Sequence, residues 1–243
     1  MFSVIDELLG KSKSRTLPPG QDGPELVNAF SCYFHDKVEN IKSTIGPITD
    51  TLISQGVNCS LESWRPMTND EIKRLIMASP TKHCSLDPLP TKLLKECVDL
   101  LLPYITHIIN ESLRSGLVPT PFKEARVTPL LKKASLDPSE YANYRPVSNL
   151  PFNSKILEKA ILVQFNQYLN ENNLQEKMQS AYRKYHSTET ALVKLQNDLM
   201  HALDHKKACI LVLLDLSDAF DTVNHAALLK TLEIEFGVKN TAL

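Results

Sequence analysis

Apolar residues recur at helical spacing over much of the chain. A helix over residues 25–45 is predicted by apolar residues three or four positions apart, namely Leu26, Phe30, Phe34, Val38 and Ile41. Thr68 followed by Glu71 is a capping-box pattern and predicts the start of a second helix. The apolar spacing predicts further helices over 91–115 (two helices or a kink, because of Pro103), over 154–169, after Ser187 and over 224–236. Gly116 and Gly237 are expected to end two of them.

Three shorter segments have the composition of β-strands. Residues 125–131 and 144–149 are short strand candidates, and Pro129 places the first at a sheet edge or a bulge. Residues 208–214 form an apolar run with the length and branched content of a buried strand. The predicted fold class is therefore mixed α/β, rich in helix, with a small antiparallel sheet.

Proline and glycine divide the chain into two parts. They are frequent in residues 1–24 and 46–66, which predicts an N-terminal spacer over 1–66 with a single helix. Residues 67–243 then form the main domain. With 243 residues and 42% hydrophobic content, the chain is long enough to bury a core.

Charge and cysteine usage exclude several classes of protein. The formal net charge is −1, so only local clusters can indicate a nucleic-acid partner; residues 121–194 carry 11 Lys and Arg against 7 Asp and Glu. The five cysteines are scattered without a C-x-x-C pair, which disfavours a disulfide framework or a zinc site. The apolar runs are too short to span a membrane, and the N-terminus lacks a secretory signal pattern. We expect an intracellular protein, in the cytoplasm or the nucleus.

The most informative motif is the acidic sequence from Asp215 to Asp221. A carboxylate that ends a strand can hold a divalent metal ion on a rigid element, and Mg²⁺ prefers a few carboxylates together with substrate phosphates. An aspartate in this position can equally cap a helix. Asp218 is expected to be a solvated turn carboxylate, and Asp221 to cap the helix that follows.

Several blocks resemble, in the same order, the reverse transcriptase region of non-LTR retrotransposons of the LINE type, similar to jockey. They are Ser85-Leu-Asp-Pro-Leu-Pro90, Phe122-Lys-Glu-Ala-Arg-Val-Thr-Pro-Leu-Leu-Lys132, Tyr144-Arg-Pro-Val-Ser148, Gln179-Ser-Ala-Tyr-Arg183 and Leu213-Leu-Asp-Leu-Ser-Asp-Ala-Phe-Asp221. The resemblance implies the fingers and the partial palm of a right-hand polymerase. It also implies RNA-directed DNA polymerase activity, with an RNA template, a DNA primer, deoxynucleotides and Mg²⁺.

The resemblance assigns roles to particular residues. Asp215 resembles the first catalytic aspartate and metal ligand, and the carbonyl of Leu216 can add a ligand. Phe220 resembles the residue whose ring excludes a 2′-hydroxyl. The residues expected to contact the triphosphate or the template are Lys132, Arg145 and Arg183, with Gln179 and Tyr182 beside the template.

Two later blocks of the family pattern do not occur in these 243 residues. They are the Gly-x-Pro-Gln-Gly block and the Tyr/Phe-x-Asp-Asp hairpin, which carries the second and third catalytic carboxylates. We therefore expect these residues to be inactive alone and to self-associate through an open strand edge. The alternative is a noncatalytic nucleic-acid-binding or interaction fragment.

Overall fold

The computed structural model describes residues 17–18, 23–44, 56–82, 84–216 and 218–243. Most of the predicted spacer segment 1–24, and residues 46–55 of the segment 46–66, lie outside these residues. The described helices are α1 Pro24–Thr44, α2 Asn69–Ala78, α3 Thr91–Glu96, α4 Val98–Ser115, α5 Thr120–Lys123, α6 Phe152–Glu171, α7 Thr188–Asp204 and α8 His225–Phe236. The strands are β1 Arg126–Leu131 and β2 Tyr144–Asn149, with short 3-10 helices at Tyr141–Asn143 and Asn240–Ala242.

The main core lies between α2, α4 and α6. Its central side chains are almost completely buried, namely Ile72, Ile76, Ile109, Leu113 and Ile156. The predicted capping box is confirmed at the start of α2, where the Thr68 hydroxyl accepts from the Glu71 N–H and the Glu71 carboxylate accepts from the Thr68 N–H. The mixed helix and sheet class predicted from the sequence is confirmed.

Strands β1 and β2 form a two-stranded antiparallel ribbon. Pro129 lies opposite Pro146. The Lys132 N–H donates to the Asn143 carbonyl at 2.9 Å, so the alternation along the ribbon places the two prolines at a pair that exchanges no hydrogen bonds. Neither proline therefore removes a bond from the ladder.

Helix α1 covers one face of this ribbon. Leu26 and Phe30 of α1 pack with Tyr144, and all three are buried. The Phe30 ring lies 5.0 Å from the Tyr144 ring and 4.8 Å from the Tyr141 ring, centroid to centroid, in edge-to-face arrangements. The predicted apolar stripe of α1 is thus the surface that joins it to the ribbon.

The end of the described chain is joined to residues near position 60. Leu61 forms a parallel bridge with Val238, and its N–H donates to the Gly237 carbonyl at 2.9 Å. The Tyr168 hydroxyl donates to the Phe236 carbonyl at 2.8 Å, which fastens the end of α8 to α6. Burial raises the pKa of Tyr168 to about 12, with a further contribution from Cys59.

One expectation about secondary structure is wrong, and the position of a second is wrong. Residues 208–214 form no strand, and their side chains are exposed; Ile210 is 91% and Leu214 is 90% exposed. A strand exists only through hydrogen bonds to a neighbour, and within the described residues this segment has none. The expected division of 91–115 into two helices is confirmed, but the break falls at Cys97, and Pro103 lies inside α4.

Within the described ranges, no helix combines the length and the apolar character needed to cross a bilayer.

Candidate functional site

A groove of about 900 Å³ lies between α1, the ribbon and residues 218–221. Its apolar wall comes from α1 and from the ribbon face that α1 covers, and its polar wall includes Asp218 and Asp221. We call it the ribbon groove, and residues 218–222 the acidic turn. The groove brings part of the acidic motif next to the fingers-like ribbon.

The acidic turn is held by its own backbone. The Asp218 carbonyl accepts from the Asp221 N–H at 3.0 Å, from the Thr222 N–H at 3.1 Å and from the Thr222 hydroxyl at 3.1 Å. Asp218 has a φ of +49°, in the left-handed region that side-chain-bearing residues seldom adopt. The turn is therefore a defined structure with a fixed direction for the Asp218 side chain.

Asp218 forms an ion pair across the groove. Its Oδ2 lies 2.5 Å from the Lys37 Nζ, and the Asp218 side chain is only 18% exposed. The expectation of a solvated carboxylate is therefore wrong, because α1 supplies a cation. Asp221 is not the helix cap either; Asn224 is, since its Oδ1 accepts from the Ala227 N–H at 3.0 Å.

Asp215 and Leu216 lie in the exposed segment before the turn. Leu216 is 76% exposed, and Asp215 is also exposed. The described residues include no group of three His, Cys, Asp or Glu side chains close enough to hold a metal ion. A single exposed carboxylate does not satisfy Mg²⁺, which needs near-octahedral oxygen coordination. The described residues alone therefore do not fit a resident Mg²⁺ ion.

Phe220 lies on the acidic turn with 79% of its surface exposed. A ring that packs on the sugar of a nucleotide has to be accessible to that nucleotide in the free protein. The Phe220 ring meets this condition. Its predicted role in excluding a 2′-hydroxyl stays a prediction.

Lys132 and Arg145 lie away from the acidic turn. Strand alternation puts Arg145 on the ribbon face opposite to Tyr144, which contacts α1. We call this the outer face; it also carries Leu130, which is paired with Arg145 and 52% exposed. Lys132 continues the same alternation, and its Nζ donates to the Ala142 carbonyl at 2.8 Å. The two candidate phosphate-binding residues are thus on the outer face. The ribbon groove lies mainly on the α1 face, and Arg126 and Thr128 of the outer-face alternation also line it.

An aromatic and basic segment precedes α7. Tyr182 and Tyr185 are 90% and 87% exposed, with φ angles of +60° and +64°. Arg183 donates from Nη1 to the Glu176 carbonyl at 3.2 Å. The Lys184 Nζ lies 4.8 Å from the centre of the Tyr185 ring. Sequence reasoning identified Tyr182 and Arg183 but missed Tyr185, although the alternation of tyrosines with basic residues was visible.

Asp87, in the first of the resembling blocks, joins two parts of the fold. Its Oδ1 accepts from the Phe152 N–H at 2.7 Å, at the start of α6, and its Oδ2 accepts from the Cys84 N–H at 3.2 Å. Nearby, Arg126 donates from Nη1 to the Ser85 hydroxyl at 2.9 Å. This loop braces the base of the ribbon against α6, a role that the sequence did not indicate.

Comparison with known proteins identifies the class. Residues 131–241 match the family described as "Reverse transcriptase (RNA-dependent DNA polymerase)". The chain therefore contains part of a reverse transcriptase domain, and the resemblance predicted from the sequence is confirmed. Reverse transcriptases use divalent metal ions and act on a nucleic-acid template with nucleotide substrates.

The relatives come from mobile elements. Two proteins named "RNA-directed DNA polymerase from mobile element jockey" are 32% identical (Drosophila funebris, over 68% of this chain) and 30% identical (Drosophila melanogaster, over 67%). A "Probable RNA-directed DNA polymerase from transposon BS" of Drosophila melanogaster is 28% identical over 70% of this chain. The matches cover 18%, 18% and 19% of these relatives, so the chain spans about a fifth of their length.

Proposed function

We propose that the chain provides the fingers and the first palm motif of an RNA-directed DNA polymerase that copies the RNA of a mobile element. The observation that supports this is the family match over residues 131–241, which includes Arg145, Arg183, Asp215 and Phe220. The RNA template, DNA primer and deoxynucleotides are proposed on the same basis. The intracellular location expected from the sequence stays a prediction.

Each candidate residue has a chemical role in this proposal. The guanidinium of Arg145 and the ammonium of Lys132 neutralise the triphosphate, because charged donors pair strongly with phosphate oxygens. Phe220 packs under the sugar and rejects a 2′-hydroxyl by steric overlap. Arg183, with Tyr182 and Tyr185, contacts single-stranded template by stacking and by phosphate pairing.

The metal chemistry is assigned only in part. Bound Mg²⁺ supplies charge neutralisation for nucleotidyl transfer in this class of enzyme. Asp215 is proposed as one ligand and the Leu216 carbonyl as another. Within the described part of the chain, no group of three His, Cys, Asp or Glu side chains completes such a site.

Nucleotide binding by residues 1–243 tests the site assignment. We expect Arg145→Ala to weaken binding of a fluorescent deoxynucleoside triphosphate at least about tenfold, since a charged hydrogen bond contributes about 1.5–3 kcal/mol. Arg74→Ala is the matched control, because Arg74 is exposed on α2 far along the chain from the site. Equal effects of the two substitutions contradict the assignment of Arg145.

Primer extension tests catalysis by these residues alone. We expect residues 1–243 to incorporate no labelled dTTP on a poly(rA) template with an oligo(dT) primer, because Asp215 is the single candidate catalytic carboxylate that the sequence supplied. The control is Asp215→Ala. Template-dependent incorporation above that control contradicts the expectation.

The second candidate is a noncatalytic nucleic-acid-binding fragment. The observation that favours it is the exposure of Tyr182 and Tyr185 next to Arg183 and Lys184. We expect binding of single-stranded RNA to weaken with rising salt and to weaken further in Arg183→Ala. RNA binding without any nucleotide binding favours this candidate over the polymerase.

A further inference from the structure

We propose that Lys37 is a positioning residue that holds the acidic turn on the α1 side of the ribbon, away from Lys132 and Arg145. The effect of this contact on nucleotide binding rests on the proposed function, whereas the contact between Lys37 and the acidic turn does not depend on it. It assigns to α1 a part in the nucleotide site, although α1 precedes the segment that matches the reverse transcriptase family.

Helix α1 has a fixed position on the ribbon. Phe30 is 5% exposed and contacts Tyr141 and Tyr144, which is 1% exposed. Lys37 follows Phe30 by seven residues, so it lies about 10 Å further along the same side of the helix. The aromatic cluster therefore determines where the Lys37 ammonium can reach.

Lys37 contacts a turn that has little conformational freedom of its own. Three hydrogen bonds to the Asp218 carbonyl close the acidic turn, and Asp218 has the left-handed φ that this closure requires. The ion pair at 2.5 Å joins this rigid turn to α1, with side-chain exposures of 28% for Lys37 and 18% for Asp218. Fixing Asp218 therefore fixes the direction in which Phe220, within the same turn, points.

The other Lys and Arg side chains that line the ribbon groove, Lys42 and Arg126, contact residues outside the acidic turn. Lys42 pairs with Glu39 at 3.2 Å, and Arg126 donates to Ser85. Among the described Lys and Arg residues that line the groove, it is therefore Lys37 that pairs with the acidic turn.

The consequence follows from the two faces of the ribbon. The groove contains Asp218 together with Val127, Pro129 and Pro146, which share the alternation of Tyr144 and so face α1. Lys132 and Arg145 occupy the outer face. A nucleotide held by Arg145 reaches Phe220 only when the turn leaves Lys37, so the ion pair lowers the population of the binding-competent arrangement.

Hydrogen exchange of the acidic turn is the primary test. We expect the Asp221 and Thr222 amides, which donate to the Asp218 carbonyl, to exchange about fivefold faster in Lys37→Met, because the turn loses its partner while its surroundings stay folded. Lys37→Arg restores the wild-type rate within about twofold, since it keeps the charge. Lys42→Met is the matched control on the same helix and leaves the rate unchanged.

Two exchange results overturn the inference. One is an unchanged rate at Asp221 and Thr222 in Lys37→Met. The other is an increase of the same size in peptides of the α2, α4 and α6 core, which shows that the ion pair only stabilises the fold as a whole.

Nucleotide affinity is the second measurement. We expect Lys37→Met to bind a fluorescent deoxynucleoside triphosphate about fivefold more tightly than the wild type, with Lys42→Met unchanged. Equal or weaker binding by Lys37→Met overturns the proposed consequence. If neither protein binds nucleotide, the proposed function fails, and the exchange rates still decide whether Lys37 positions the turn.

Discussion

The carboxylate of Asp87 caps the N-terminus of α6, although Asp87 lies far from α6 in the sequence. Replacing Asp87 with asparagine removes this carboxylate. Pro151, the residue that precedes α6, provides no side-chain cap, and the Phe152 N–H is satisfied by Asp87 Oδ1 at 2.7 Å. The other carboxylate oxygen accepts from the N–H of Cys84, a residue that is 1% exposed. In Asp87→Asn, the amide NH₂ faces one of these two donors, and the charge at the helix N-terminus is lost.

The magnitude follows from these two losses. An unfavourable contact at the buried Cys84 N–H costs about 1 kcal/mol, and the lost charge at the α6 N-terminus costs roughly 0.3–1 kcal/mol. We therefore expect a loss of roughly 1.3–2 kcal/mol in the free energy of unfolding. For a chain of this length, this corresponds to a fall in Tm of roughly 3–8 °C.

Urea unfolding followed by circular dichroism measures this loss. We expect a lower midpoint for Asp87→Asn with an unchanged slope, because the folded and unfolded surfaces stay the same. Asp198→Asn is the matched control, since Asp198 is exposed on α7. Equal losses of stability in Asp87→Asn and Asp198→Asn contradict the role of Asp87 as the cap of α6.

A close backbone contact at Gly237, a carboxylate with a lowered pKa at Glu71 and an exposed leucine at Leu214 can each be tested by substitution. Gly237→Ala should lower the free energy of unfolding by about 3 kcal/mol, and Gly23→Ala by about 1 kcal/mol. Both glycines have a positive φ. A Cβ at Gly237 would lie 2.1 Å from a backbone carbonyl oxygen, whereas a Cβ at Gly23 would have no atom within 4 Å. The hydrogen bond from Arg65, together with the one from the Thr68 backbone, lowers the pKa of Glu71 from 4.5 to about 2. Glu71→Gln should therefore lower the free energy of unfolding at neutral pH by about 1 kcal/mol, after allowing for solvent screening. Leu214→Lys should reduce self-association in sedimentation velocity without lowering Tm, because this side chain is 90% exposed.

Equal losses of Tm for Gly237→Ala and Gly23→Ala in calorimetry contradict the predicted clash between the new Cβ at Gly237 and the backbone carbonyl oxygen. The folded pKa of Glu71 is depressed, so its contribution is complete above pH 4.5 and disappears as pH falls through about 2. The wild type should therefore lose stability across that window more steeply than Glu71→Gln, and parallel curves contradict this. A wild-type chain that stays monomeric at tens of micromolar contradicts the association prediction.

The sequence predicted local features of the fold well because their signals lie close together in the chain. The capping residues Thr68 and Ser187, and the glycines that end α4 and α8, lie within one turn of the helix ends that they specify. Gly116 and Gly237 both have the left-handed conformation that ends a helix.

Features that depend on distant partners were not predictable in the same way. The run 208–214 has a strand composition, but strand formation depends on a neighbouring strand that composition does not reveal. The pairing of Lys37 with Asp218 and that of Asp87 with Phe152 join residues far apart in sequence. For the candidate site, the residue types could be proposed from the sequence, whereas their distribution over two faces of the ribbon required the register of β1 and β2.

The unequal packing of the chain explains how the acidic turn can change position at low cost. The core of α2, α4 and α6 buries its apolar side chains, but α7 and α8 have no buried residue along their described lengths. Between them, residues 207–216 are exposed and make no ladder that movement of the turn has to break. Displacing the turn therefore breaks mainly the ion pair with Lys37 and little packing. This is why we expect a single substitution in α1 to alter the turn measurably while the core keeps its stability.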